Sequence, residues 1–173
     1  MRKVLSILVE NTSGVLSHVS GLFSRRGYNI DSFSAGVTSD PRFTRMTIVT
    51  SGDEQILEQI EKQVAKLEDV VDIRILEPEA SVRRELMLVK VRKVPPKQPG
   101  VYSLAEMTAN FHGKTVDETP DSVLIEVTGN TDKLDSFLEN LGDYEILELA
   151  RTGLTALSRG TESIAQIASG NRD

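Results

Sequence analysis

The stretch Val4-Leu5-Ser6-Ile7-Leu8-Val9, running into the polar turn Glu10-Asn11-Thr12-Ser13-Gly14, decides the reading of the fold. A near-continuous apolar run of this length, stopped by small polar residues and a glycine, reads as a strand followed at once by a helix start. The residues behind the turn agree. Val15, Leu16, Val19, Leu22 and Phe23 fall at i, i+1, i+4, i+7 and i+8, one apolar helical stripe. Thr12 or Ser13 is predicted to cap that helix, and Gly27 to end it. A strand feeding such a turn leaves backbone N–H groups of the helix start facing open space, a setting that suits a small anion or carboxylate.

Outward from this stretch the pattern continues. Strands are predicted at 29–38, 44–50 and 70–76, and the turn at 39–42 joins the first two of these. A second helix opens at Ser51-Gly52-Asp53 and places Ile56, Ile60, Val64 and Leu67 on one face. The order is β-α-β-β-α-β, a split pair of β-α-β units that forms an antiparallel sheet with both helices on one face. The same order then recurs: a strand at 86–91, a helix carrying Leu104, Met107 and Phe111, and strands at 115–118 and 123–128. A helix carrying Leu134, Phe137, Leu138 and Leu141 and a last strand at 146–150 complete it. The predicted class is α+β, with two ferredoxin-like domains at 1–77 and 82–160 and a flexible tail at 161–173. The Pro-rich stretch 94–100 is read as a loop inside the second domain; its alternative reading is the interdomain linker.

Composition narrows the function. The 173 residues carry a net charge of −6, and Arg25-Arg26 and Arg83-Arg84 are isolated pairs, so no basic stripe for nucleic acid is present. Zero cysteines exclude disulfides, thiolate metal sites and cysteine nucleophiles. No run approaches the ~20 apolar residues that span a bilayer, and a cytoplasmic location is expected. Asn11-Thr12-Ser13 matches a glycosylation acceptor, which a cytoplasmic chain would not use. His18 and His112 stand apart from any cluster of metal-ligand spacing, so no metal site is expected. No phosphate loop, dinucleotide fingerprint or hydrolase motif occurs, and no catalytic residue is assigned.

Two features remain open on residue patterns alone. The Asn11–Gly14 turn is either a plain helix cap or a ligand seat, in which the amides near Gly14, Val15 and Leu16 accept a carboxylate and Asn11 adds a donor and an acceptor. The strand at 29–38 lies at a sheet edge in this topology. It is either an edge blunted by Asp31 and serines, or the seam of a two-fold homodimer that would carry Asn29 and Ile30 to the partner's turn.

The blocks 10–17, 21–30 and 45–48 resemble the ACT domain of the small, regulatory subunit of acetolactate synthase (acetohydroxyacid synthase). The resemblance continues through 58–63, 84–90, 150–153 and 157–160, and is weakest at 94–100 and in the tail. It implies a homodimer through the ACT domains that binds valine, the end product of the pathway, at the dimer interface. Asn11, Gly14, Val15 and Leu16 of one protomer and Asn29 and Ile30 of the other are the implied effector residues. It also implies assembly with a large catalytic subunit that carries thiamine diphosphate, Mg²⁺ and FAD, this chain holding no cofactor of its own. That partner would be activated and made valine-sensitive. The alternative is a stand-alone amino-acid-sensing module that regulates another partner.

Overall fold

The computed structural model describes residues 1–94, 102–161, 163 and 164. The chain divides into two compact units, Met1–Arg83 together with the chain from Gly153 onward, and Arg84–Thr152. In sequence the elements are β1 (Arg2–Glu10), α1 (Val15–Arg26), β2 (Ser32–Val37), β3 (Phe43–Ser51), α2 (Glu54–Val64) and β4 (Val70–Ile75). They continue with β5 (Ser81–Arg92), α3 (Leu104–Asn110), β6 (Lys114–Glu118), β7 (Ser122–Gly129), α4 (Thr131–Asn140), β8 (Ile146–Arg151) and β9 (Thr155–Ser158). The two sheets have matching strand orders, β2-β3-β1-β4 and β6-β7-β5-β8, with antiparallel pairing throughout these paths. Both repeats therefore follow the predicted β-α-β-β-α-β plan, and β2 is an edge strand.

The first unit buries both faces of its sheet. Leu5, Ile7 and Val9 of β1 point to the helices and pack with Val19, Leu22 and Phe23 of α1 and with Leu57, Ile60 and Val64 of α2. Ile56, predicted on that inner face, is instead 36% exposed, and Leu57 takes its place. The alternate residues of β1 point the other way. Val4 packs with Val49, Leu76, Leu154 and Ala156, and Leu8 packs with Phe43 and Ile164.

That second cover corrects the expected domain limits. The chain from Gly153 belongs to the first unit, although the sequence reading placed 82–160 in the second domain. Ile164, expected in a flexible tail, is 3% exposed. The reason is the near-continuous apolar run Val4–Val9 itself: a strand buried on both faces needs two covers, and the helices supply only one. Ile167 lies outside the described residues.

Helix ends follow their local chemistry. At the end of α1, Gly27 has φ 67° and donates to Ser24 O, while Tyr28 N–H reaches back to Phe23 O at 2.9 Å. The Phe23 and Tyr28 rings meet edge-on at 6.1 Å, which completes a left-handed C-terminal motif with its apolar contact. Asp53 caps α2 by accepting from Ile56 N–H.

In the second unit Met87, Val89, Val91, Ile125 and Val127 face Met107, Leu134, Phe137 and Leu141. β5 starts earlier than predicted, at Ser81; four of its first five residues, Ser81, Arg83, Arg84 and Glu85, are polar and hide the strand in the sequence. Glu85 is nonetheless buried, and the Arg151 guanidinium grips its Oε2 from Nη2 at 2.5 Å and Nε at 3.0 Å. Arg151 Nη1 donates to Asp135 at 2.6 Å. Of the Pro-rich stretch only Val94 is among the described residues.

Candidate functional site

The turn between β1 and α1 differs from the predicted cap. Neither Thr12 nor Ser13 caps the helix; Gly14 does so, at φ 88°, with no side-chain hydrogen bond to the first turn. A glycine adopts this left-handed backbone without strain, and the chain reverses tightly with Thr12 N–H donating to Glu10 O. Among the described residues none accepts from the N–H groups of Val15, Leu16 or Ser17; the first bond of the helix is His18 N–H to Gly14 O. These amides, at the positive end of the helix dipole, are available to a carboxylate.

Each predicted residue has a distinct setting. Asn11 ties the end of β1 to the β2–β3 turn: its backbone N–H donates to Arg42 O, Nδ2 donates to Pro41 O at 2.9 Å, and Oδ1 accepts from Thr44 at 3.2 Å. One Nδ2 hydrogen and one Oδ1 lone pair remain. In that same turn the Asp40 carboxylate holds the Arg42 guanidinium and raises its pKa above the ordinary value. Val15 is 7% exposed with its side chain in the core, so it offers an amide and no apolar contact. Leu16 is half exposed and is the apolar group beside the free amides.

Asn29 and Ile30 lie at the other end of the sheet. Thr50 Oγ1 donates to Asn29 O at 2.6 Å, Asn29 Nδ2 donates to Asp31, and Asp31 N–H donates to Val49 O. Ser32 pairs with Val49, which pairs with Val4, whereas the Asn11–Gly14 turn follows Glu10. Val4 and Glu10 are about 20 Å apart along an extended strand. One protomer thus brings Asn11, Gly14, Val15 and Leu16 together and keeps Asn29 and Ile30 away from them. A shallow groove of about 490 Å³ runs along α1 past Ser17, Gly21 and Ser24 to Tyr28 and Ile30.

Sequence reasoning missed a polar neighbour of the turn. His18 Nδ1 lies 2.5 Å from Asp69 Oδ2, and its Nε2 lies 4.0 Å from the place a Cβ on Gly14 would occupy. The i, i+4 spacing of Gly14 and His18 was visible, but Asp69 is far away in the chain. No group of three or more metal-ligating side chains is found among the described residues. No helix among them is long and apolar enough to cross a membrane.

Residues 5–72 match the family model described as the AHAS small subunit-like ACT domain, and residues 84–160 match that of the small subunit of acetolactate synthase. The probable acetolactate synthase small subunit of Methanothermobacter thermautotrophicus is 47% identical over 93% of this chain and 95% of its own. The acetolactate synthase isozyme 3 small subunit of Salmonella typhimurium is 49% identical over 92% of this chain and 97% of its own. A crystal structure of the acetolactate synthase small subunit from Thermotoga maritima superposes with a TM-score of 0.84 at 36% identity, covering 94% of this chain and 99% of that one. With both repeats matched in order and the relatives covered nearly end to end, the chain belongs to the acetolactate synthase small-subunit family.

Proposed function

We propose that this chain is the regulatory subunit of acetolactate synthase, and that two copies bind valine between their ACT units to impose feedback inhibition. The observation that carries the reading is the separation of the effector residues to opposite ends of one sheet, with the open edge strand β2 between them. Antiparallel pairing of two β2 edges about a two-fold axis sets the start of each β2 beside the end of the other. Asn29 and Ile30 of one copy then approach the Gly14 turn of its partner. The stripe Ser17, Gly21 and Ser24 on α1 supports the same seam, since small residues at i, i+4 and i+7 let two helices approach closely.

In this site the valine carboxylate meets the Val15 and Leu16 amides, the ammonium meets Asn29 of the twin, and the isopropyl group rests on Leu16 and the twin's Ile30. Some eight heavy atoms at ~0.8 kcal/mol each give roughly 6–7 kcal/mol, a dissociation constant of about ten micromolar. An apolar wall separates valine from leucine or isoleucine by only ~1–3 kcal/mol, so cross-response is expected. The catalytic subunit, which in this reading holds thiamine diphosphate, Mg²⁺ and FAD, is activated by the dimer; this chain holds no cofactor.

Mixed dimers test the shared site. A Gly14→Asp chain and an Asn29→Ala chain should each lose valine binding alone. Combined in equal amounts, they should regain about a quarter of the sites in isothermal titration, because about half of the dimers are then mixed and each mixed dimer has one of its two sites intact. No recovery would place the site within one protomer. Failure to co-elute with an acetolactate synthase catalytic subunit would favour a stand-alone sensor.

A further inference from the structure

After the second repeat the chain returns to the first unit and lands on β2. Leu154 N–H donates to Ser32 Oγ at 2.7 Å, and Ser34 Oγ donates to Leu154 O at 3.0 Å. Serines two apart on a strand share a face, so β2 holds both polar groups of one residue. Gly153 lies against the Phe33 peptide so closely that a Cβ there would sit 2.0 Å from Phe33 O and 2.5 Å from Phe33 C. Leu154 and Ala156 are then sealed beneath the sheet at 4% and 3% exposure. In this clasp backbone meets backbone at Gly153 with no side chain between, while the two serine hydroxyls hold Leu154 by side-chain bonds that can be made or broken as β2 shifts.

The clasp has two informative neighbours. Ser32 stands two residues beyond Ile30, at the start of the strand that borders the proposed effector site. In the other direction Thr152 is the last residue of the second unit, and Arg151 before it is fixed to Glu85 and Asp135. We propose that Gly153–Leu154 is the transmission element of feedback inhibition. Effector occupancy against Asn29 and Ile30 resets the start of β2, the clasp tightens or releases, and the change passes by chain continuity into β8. The inference rests on the valine reading above and adds the route by which that site is heard. Allosteric coupling requires an element with two arrangements that both sites bias, and the pair of serine hydrogen bonds is that element.

The test uses the Ser32→Ala/Ser34→Ala double variant and Gly153→Ala, each reconstituted with the catalytic subunit. Valine affinity is read by isothermal titration and inhibition by acetolactate formation. The variants should bind valine within threefold of the unaltered chain and activate normally without it. At saturating valine they should keep at least half of their valine-free activity. Full inhibition in the serine variant, with faster hydrogen exchange at the Leu154 amide to verify release, overturns the proposal while leaving the valine site standing. Absence of valine binding to the unaltered chain overturns both. Should Gly153→Ala fail to fold, the serine variant decides.

Discussion

Two helices begin at equivalent points of the two repeats, each after the central strand β1 or β5, and their first turns are satisfied in different ways. In α3, Ser103 Oγ accepts from Glu106 N–H at 3.2 Å, and the Glu106 carboxylate accepts from the Ser103 N–H at 2.9 Å. This reciprocal box meets the needs of the helix start from within. In α1 the cap is a glycine and the amides of the first turn have no acceptor among the described residues. With glycine at the cap, omitting the side-chain bond forgoes only a few tenths of a kcal/mol. Within one architecture, the first helix start leaves its amides open to an outside acceptor and the second is closed by its own side chains.

The strongest way to break this contrast is to close the first turn. In Gly14→Asp the new carboxylate occupies the amides itself, and its charge repels the ligand. Valine affinity should fall from about ten micromolar to beyond ten millimolar, about 4 kcal/mol, in isothermal titration. Retained binding would mean that the amides are not the seat.

Next in size is Arg151→Met, which strands buried Glu85 without its partner. It should cost about 3–5 kcal/mol in urea unfolding of the second unit while leaving valine affinity unchanged. A lost valine site would show that the repeats are not separable in this way.

Opening the other cap is milder. Ser103→Ala should cost about 1 kcal/mol and create no second valine site by titration stoichiometry. Hydrogen bonds from the Ser103 backbone and hydroxyl hold the Glu106 pKa below its ordinary value. A depressed folded pKa gives stability that is complete above the unfolded value, about 4.3, and is lost as pH falls through the folded one. The difference in urea midpoint between the unaltered chain and Glu106→Gln should therefore shrink below about pH 4.

The smallest effect concerns how these helices end. His112 occupies, at φ 52°, the left-handed position that Gly27 fills in α1, with Gly113 N–H reaching Thr108 O. His112→Gly should raise stability by about 0.5–1 kcal/mol, a thermal midpoint higher by a few degrees. An unchanged midpoint would mean that the histidine side chain compensates the backbone cost.

Periodicity exposed most of the architecture, because the apolar stripes of α1 and α4 and the alternation of β7 report directly on burial. The edge position of β2 followed from element order alone. Three things stayed hidden. Gly14 displaced Thr12 and Ser13 as the cap because backbone handedness, which composition does not encode, decided it. The start of β5 was masked by the polar residues Ser81, Arg83, Arg84 and Glu85, the last of which is buried against Arg151, 66 residues further along the chain. The return of Leu154, Ala156 and Ile164 was signalled only indirectly, by a first strand apolar on both faces. His18 and Asp69 meet across 51 residues, a pairing no local pattern reveals.

The late arrival of that second cover has a consequence for biogenesis. Residues 1–83 emerge from the ribosome first, yet Val4, Leu8, Phe43 and Val49 wait for partners that are synthesised about eighty residues later. At cellular elongation rates that interval is roughly 4–16 s. The nascent ACT unit therefore spends it with one greasy surface bare, and its maturation is tied to completion of the whole polypeptide.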